Sequence, residues 1–337
     1  MSTIALRDVA ARARVSAGTV SNYLNHPHRV APRTAARISS AIKELGYVSN
    51  HAARQLRIGS STTIGHVTFE VGNHSFAEFS AGAAERAREV GFSILIGSDG
   101  GTVEGEAAHL DLFEAQRVRG LLLSPVGAFP KRRIEQLRDR GIPTVLVGAR
   151  ADTDTCSSVS FDEVAGGELV AGHLIEGGRR NLLFVGGPLG IETVADRLTG
   201  ARQVVRRTPD ARLEVIEVES RTVAIGRAVG LAIGRRPAGE RPDGVFAAND
   251  ALAIGIMNGL REAPGIVVPD DIAVVGYDDS DFGAGALVPL TSIARPGRQY
   301  GRTAMDLLHT AITRSDGRHS RVVFQPQLVV RRSSAAS

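Results

Sequence analysis

Apolar positions change rhythm once along the chain. In the first 45 residues they recur at helical spacing. Leu6, Val9, Ala10 and Ala13 fall at i, i+3, i+4 and i+7 and predict a short helix over 6–13. Ser16 is a natural N-cap for a second helix running to about Leu24, with Val20, Tyr23 and Leu24 inward and Asn25-His26-Pro27 ending it. Pro32 opens a third helix, which turns Ile38, Ala41, Ile42 and Leu45 to one face and stops at Gly46. Three short helices, the first two joined by a tight turn, predict a small DNA-binding bundle. The stretch "NHAARQLR" (50–57) has helix formers but no core face, and "IGSSTT" reads as a linker.

From Ile64 onward, short apolar runs alternate with helical stretches. The runs are "IGHVTF", "SILIG", "GLLLS", "TVLVG", "NLLFVG", "LEVIEV", "GVFAA" and "IAVVG". Helices over Phe76–Val90, Glu163–Glu176 and Ala251–Leu260 lie between them, and Gly91, Gly141 and Gly178 stand just before the next strand. This alternation predicts an α/β fold with parallel, doubly wound sheets. Roughly 270 residues are about twice one such unit, so two lobes are expected. The expected domains are a helix-turn-helix head at 1–49, a hinge at 50–60 and a core at 61–333. Lobe 1 would span about 61–160 plus 293–325, and lobe 2 about 161–290 plus 326–333. Ligands of such sheets bind at the carboxyl ends of the strands, which between two lobes become a cleft that can close.

Charge sharpens this division. Residues 1–60 hold nine Lys and Arg against Asp8 and Glu44, a net of +7, whereas the whole chain carries only +4. A basic head on a slightly acidic body is the footprint of a nucleic-acid-binding module joined to something else. The chain opens with Arg7, Asp8, Arg12 and Arg14, which leaves no room for a secretory apolar region. No run approaches the ~18 apolar residues of a membrane helix. A cytoplasmic protein is expected, in contact with no membrane. The single Cys156 cannot form an intramolecular disulfide and reads as a structural cysteine.

The stretches "LRDVAARARVSAGTVSNYLN" and "RVAPRTAARISSAIKELGYVSNHAARQL" resemble the DNA-binding head and hinge of the lac repressor (LacI/GalR) family of bacterial transcription regulators. "ADRLTGAR", "VFAANDALAIG", "IAVVGYDDS" and "PLTSI" are similar to that family's effector-binding core, which is related to periplasmic sugar-binding proteins. The resemblance runs over essentially the whole chain. It implies a three-helix helix-turn-helix head on a two-lobed, periplasmic-binding-protein-like core. It also implies a homodimer on a near-palindromic operator, and a carbohydrate-like effector in the cleft. No cofactor and no metal are implied.

The resemblance assigns the DNA face to Ser16, Ala17, Gly18, Thr19, Ser21, Asn22 and Asn25 of the second helix and its cap. Arg29, Arg33 and Thr34 join them around the third helix, and Asn50, Ala53, Arg54 and Leu56 in the hinge. Leu56 would wedge into a base step of the central minor groove and kink the duplex. Ala17 and Gly18 carry no hydrogen-bonding side chain, so Asn22 would read adenine while Ala17 touches a thymine methyl. This chain departs from the usual pattern at several points. Ala5 and Ala31 replace capping Ser or Thr, Arg14 takes a turn position that favours positive φ, and Ser49 replaces a Pro before the hinge.

In the cleft the resemblance assigns Arg197, Asp278, Asp162 and Asn249 to the effector, with Ser75 and Phe76 from the first strand–helix loop and Thr193. An arginine, two carboxylates and an amide suit a polyhydroxylated ligand, because carboxylates accept from vicinal hydroxyls while Arg and Asn donate. Phe76 reads equally as a core residue, and the alternative for Asn249 is a cap of the helix beginning near Ala251. Glu163 stands where the family usually has Asn, and the run Asp279-Ser280-Asp281 reads as a solvated loop.

Other functions fit less well. No glycine-rich loop precedes Lys43 or Lys131, no GxGxxG sits between a first strand and helix, and no GxSxG appears. The nine His and one Cys show no zinc spacing; His26, His28 and His51 fall in the basic head. The chain is therefore not expected to be an enzyme. The alternatives are a cytoplasmic sugar- or nucleoside-binding protein, or an enzyme, with an accessory DNA-binding head. A secreted sugar receptor lacks a reason for the basic head, and an architectural DNA binder needs no ligand lobes.

Overall fold

The computed structural model describes residues 4–47, 61–69, 71–72, 74–127, 129–149, 154–314 and 317–335. It divides into two units, Met1–Ser61 and Thr62–Ser337.

The first unit is built from α1 (Leu6–Ala13), α2 (Ala17–Asn25) and α3 (Pro32–Leu45). Its core is Val9, Ala10, Ala13, Val20, Ile38 and Ala41, with Leu6, Tyr23, Leu24, Ile42 and Leu45 packed around them. Ser16 caps α2, its hydroxyl accepting from the Thr19 amide at 3.1 Å. Arg14, between α1 and α2, sits at φ 50. The Arg37 guanidinium reaches across from α3 and donates to the carbonyls of Ala13 and Arg14. A cation there satisfies carbonyls left over at the end of α1 and holds the turn in its strained shape. Ala5 and Ala31 provide no side-chain cap, but the Asp8 carboxylate accepts from the Ala5 amide at 2.8 Å and restores half of a capping box.

The second unit has two lobes. The sheet of lobe 1 has six parallel strands in the order β11-β5-β4-β3-β1-β2. These are β1 (Thr63–Thr68), β2 (Ser93–Ser98), β3 (Gly120–Leu123), β4 (Thr144–Val147), β5 (Ser157–Phe161) and β11 (Arg321–Phe324). The sheet of lobe 2 has four parallel strands in the order β7-β6-β8-β9: β6 (Asn181–Gly186), β7 (Arg212–Glu217), β8 (Gly244–Ala247) and β9 (Ala273–Val275). A short antiparallel pair, β10 (Ser292–Ala294) with β12 (Gln327–Val329), completes the set. The chain crosses between lobes just after β5, again between β10 and the helix Gly297–Thr313, and again between β11 and β12. Gly91, Gly141 and Gly178 all take positive φ (82, 80 and 86°), as stops before the next strand require.

Some elements differ from the sequence expectation. β5, β10, β11 and β12 were not anticipated. β5 runs through buried Ser157, Ser158 and Ser160, so its apolar pattern is broken although both faces are covered. The helix expected at Phe76–Val90 is α4, His74–Glu89. The Asp279-Ser280-Asp281 run is not a solvated loop. Asp279 pairs with Arg331 at 2.6 Å, and buried Ser280 caps a short helix at Asp281–Ala284. Among the described residues, no helix is long and apolar enough to cross a membrane.

One polar residue sits in the core of lobe 1. His66 on β1 is fully buried against the rings of Phe76 (5.2 Å) and Phe79 (5.1 Å), and neither ring nitrogen has a hydrogen-bond partner. Burial pushes its pKa down to about 3. The folded chain therefore keeps His66 neutral while the unfolded chain protonates it below its ordinary value of 6.5. Stability from this residue is fully present above pH 6.5 and is lost as pH falls toward 3. His66→Leu should gain on the native chain as the solution is acidified. Between pH 7.5 and pH 5 the stability difference should move by about 2 kcal/mol in the variant's favour. Urea unfolding followed by circular dichroism at both pH values reads it, and a pH-independent difference would refute it.

Candidate functional site

The head presents a compact polar face. Ser16, Ala17, Gly18 and Asn22 are exposed, Thr19 and Ser21 half-buried, and the Ser16 and Thr19 hydroxyls hydrogen-bond each other at 2.8 Å. Gly18 and Asn22 are one turn apart, as are Ala17 and Ser21, so these four line one side of α2. Space beside Gly18 is open: a Cβ built there would meet only the Ser16 hydroxyl, at 3.7 Å. Arg29 and Arg33 are exposed and Thr34 is half-buried, near the start of α3. Asn25 is the last residue of α2. Asn50, Ala53, Arg54 and Leu56 lie outside the described residues.

The core holds a denser site. Two helices position it: α7 (Glu163–Glu176) directly after β5, and α8 (Glu192–Arg207) directly after β6. They touch backbone to backbone. A Cβ on Gly167 would lie 2.0 Å from the Arg197 carbonyl oxygen, and one on Gly200 would lie 2.0 Å from that of Val164. This approach sets Glu163, at the start of α7, beside Arg197 on α8. The Arg197 Nε donates to Glu163 Oε2 at 2.9 Å, its Nη1 donates to the Ala248 carbonyl, and its guanidinium lies 3.7 Å over the Tyr277 ring. The other Glu163 oxygen pairs with Arg295 Nη2 at 3.2 Å. Arg295 Nη1 also donates to Asp278 Oδ1 at 3.1 Å, and its guanidinium sits 4.3 Å over the Phe161 ring.

These four charged side chains are only 3–12% exposed, and their charges cancel. Burial alone would raise the Glu163 pKa, but the charges of Arg197 and Arg295 outweigh it and hold the carboxyl at about 2. Burial raises Tyr277 well above the phenol range, and the neighbouring Glu163 charge adds to this. Asp250, at the start of the helix Asp250–Arg261, is pushed up to about 6 by burial, with the Asp278 charge adding to the shift. It accepts from the Ser280 amide and the Ser292 hydroxyl, both at 2.6 Å, and so ties the loop after β9 to β10.

The seven expected effector residues fall differently. Arg197 and Asp278 are buried in the network just described. Asp162 caps α7, accepting from the Ala165 amide at 3.1 Å, and stays half-buried. Both ends of the Asn249 carboxamide are engaged, accepting from the Leu252 amide (2.9 Å) and donating to the Arg221 carbonyl (3.1 Å). The Arg221 guanidinium in turn donates to the Gly187 carbonyl at 2.7 Å, just past the end of β6. Ser75, in the first turn of α4, approaches Arg295 Nη1 at 3.4 Å. Phe76 is half-buried on His66, and Thr193 is half-buried one turn before Arg197.

Sequence reasoning missed Glu163, Tyr277 and Arg295 as members of this cluster. Glu163 was visible as a departure from an expected Asn, and an acid two residues before the "AGG" run was the available signal. Arg295 carried none: "SIARPG" reads like any strand end.

A helix-turn-helix head on a two-lobed, periplasmic-binding-protein-like core defines a bacterial transcription regulator. Residues 5–50 match the family described as bacterial regulatory proteins, lacI family, and residues 171–334 match a periplasmic binding protein-like domain. The ribose operon repressor of Escherichia coli (strain K12) is 31% identical over 332 residues, covering 98% of this chain and 99% of that one. A lac repressor dimer bound to operator and the anti-inducer ONPF superposes with TM-score 0.81 at 26% identity, covering 99% and 100% of the two chains. A transcriptional regulator CelR–cellobiose complex matches with TM-score 0.71 at 29% identity, covering 98% and 100%. The chain belongs to the lacI family of DNA-binding regulators, and these relatives are repressors and regulators rather than enzymes.

Two outcomes follow from the local geometry. In the head, Ser16→Ala should cost about 1 kcal/mol through the lost cap, and Gly18→Ala should gain up to about 1 kcal/mol, both read by thermal unfolding of the head. A stabilising Ser16→Ala would refute the cap. In the core, Glu163→Ala leaves the buried Arg197 guanidinium without its carboxylate and should cost about 3–5 kcal/mol. The double variant Glu163→Leu/Arg197→Met should cost less than the sum of its single changes. Additive costs in urea unfolding would show that the pair does not couple. With no tryptophan in the chain, circular dichroism is the natural probe.

Proposed function

We propose that this protein is a repressor that binds a near-palindromic operator as a homodimer. A small polar molecule in the inter-lobe cleft, a sugar or a related polyol, controls it. It acts in the cytoplasm on nucleoid DNA. The observation that carries the reading is the charged cluster at the carboxyl ends of the strands, in a core joined to a basic head with an exposed recognition face. Carboxylates with guanidinium groups beside them suit a ligand that both donates and accepts. Asp162, Thr193, Arg197, Asn249 and Asp278 would meet it from one side, Ser75 and Phe76 from the other.

Dimerisation is supported by lobe 1. Leu95 and Ile96 on the edge strand β2, with Val103 and Leu112 on the helix Val103–Ala115, are 45–60% exposed. An uncovered apolar edge of this kind favours a partner copy. In the dimer one α2 enters each half-site, with Asn22 reading adenine and Arg29 and Arg33 on phosphates. Asn50, Ala53, Arg54 and Leu56 meet the central minor groove, where Leu56 kinks the duplex. Effector acts only through its different affinity for the two lobe arrangements, which set whether the hinges pair.

Selection of operators from a random DNA pool tests this. One near-palindromic site should emerge, bound far more tightly than random DNA at physiological salt, with affinity falling steeply as salt rises. Asn22→Ala should relax one position of each half-site by about 1–3 kcal/mol. Equal affinity for every sequence would overturn the regulator reading. An unchanged preference in the variant would remove Asn22 from base reading.

A further inference from the structure

We infer that Arg295 is the residue that couples the two lobes. It is a resident cross-link standing in the cleft, which a polyhydroxylated effector must displace from Asp278. This deepens the functional reading above and rests on the cleft being the effector site.

The placement of Arg295 carries the inference. Its backbone lies where the chain passes from β10, on the lobe 2 side, into α12 (Gly297–Thr313), which packs on lobe 1. Its side chain then touches both lobes at once. On lobe 1 it lies on Phe161, at the end of β5, and approaches Ser75. On lobe 2 it pairs with Asp278, and at the crossing itself with Glu163. Nothing else in the cluster reaches so far. Arg197 contacts Glu163, Ala248 and Tyr277, on the crossing and lobe 2 alone.

The two ion pairs of Arg295 differ in kind. Glu163 is shared with Arg197, so it keeps a cation whatever Arg295 does. Asp278 has no second ion-paired guanidinium among the described residues, Arg197 acting on it only as a nearby charge. It is also held at φ 103, where side-chain-bearing residues rarely settle, by its amide donating to the Ile293 carbonyl at 3.0 Å. A carboxylate fixed this way needs a donor, and the vicinal hydroxyls of a polyol are donors of the right kind. Such a ligand competes with Arg295 for Asp278. When it wins, the bond from the crossing to lobe 2 is exchanged for one from the ligand, while Glu163 retains Arg295 nearby. The exchange replaces one lobe contact by another and is a means for occupancy to bias lobe arrangement. The planar guanidinium is required, because it must stack on Phe161 and fork to two carboxylates together. The lobes also approach each other at the rings of His74 and Phe282, whose centroids stand 6.2 Å apart.

The test uses the full chain with spin labels on cysteines placed at exposed Val71 of lobe 1 and Val223 of lobe 2, in a Cys156→Ala background. Labelled chain is diluted into unlabelled chain, so that distances within one subunit dominate. The parent should give one narrow inter-lobe distance. Arg295→Met should shift most of the ensemble to a longer or broader distribution, the open share rising from below about 10% to a majority. Arg295→Lys, which keeps the charge but loses the fork, should fall between them. A distance distribution for Arg295→Met that superposes on the parent overturns the proposal. If circular dichroism shows that Arg295→Met does not fold, Arg295→Gln is judged by the same criterion. Operator selection is independent of this outcome. A chain with a preferred operator and unmoved lobes loses only the coupling role of Arg295, whereas a chain with no preferred operator loses the regulator reading whatever its lobes do.

Discussion

Two arginines in the core each sit over an aromatic ring and share one carboxylate between them. Phe161, Arg295, Glu163, Arg197 and Tyr277 form a continuous stack of contacts from the end of a lobe 1 strand to the end of a lobe 2 strand. A charge group this deep is stable only when its charges cancel, because desolvation of each ion costs several kcal/mol. Glu163 and Asp278 supply the cancellation. The aromatic faces supply a further attraction to the guanidinium planes. Close packing makes the arrangement possible. Without Gly167 and Gly200 the helices bearing Glu163 and Arg197 stand further apart and the shared carboxylate cannot bridge.

The same constraint organises the lobes. Glu163 lies immediately after β5, where the chain first leaves lobe 1, and Arg295 lies immediately after β10, where it returns. Asp250 fastens the loop after β9 to β10 through Ser280 and Ser292, so Asp278 is held close to the second crossing. The polar cluster therefore occupies the mechanical joint of the core. In a two-lobed protein that is where a change of partner has the largest leverage on lobe orientation. The head has its own apolar core, and Arg37 fixes its turn without help from the rest of the chain.

How much of this the sequence makes legible depends on the kind of signal each element carries. Helices of the head announce themselves by period, cap and stop, so Ser16 and Gly46 mark boundaries that the structure reproduces. Apolar strands such as β3 and β6 are equally plain. β5 is hidden because Ser157, Ser158 and Ser160 occupy buried positions, and buried hydroxyls are indistinguishable in sequence from a loop. Roles in the cleft are harder still. Arg197 and Asp278 stand in recognisable motifs, but their partners, Glu163 and Arg295, lie 34 and 17 residues away from them and meet only when the sheets are assembled. Asn249 shows the limit of motif reading: one asparagine is both a helix cap and a candidate ligand contact, and here its amide is taken by the cap and by Arg221.

The small residues at the front of α2 follow a similar logic at the other end of the chain. Ala17 and Gly18 are exposed, and among the described residues only the capping hydroxyl comes within 4 Å of a Cβ at position 18. Packing among the described residues therefore does not demand a glycine at 18, and Gly18 lowers helix propensity by about 1 kcal/mol against Ala. A residue that destabilises its own helix without relieving a clash in the fold is best accounted for by what approaches from outside. A duplex would be such a partner, because a helix with only a methyl group and a hydrogen at its first two positions could sit deeper in the major groove. On the reading proposed above, hydrogen bonding to bases would fall to Asn22 and the Ser16–Thr19 pair. Few base contacts of this kind would leave much of the discrimination to the deformability of the central steps. The head and hinge would thus divide the work, one reading few bases at close range, the other reading how readily the duplex bends.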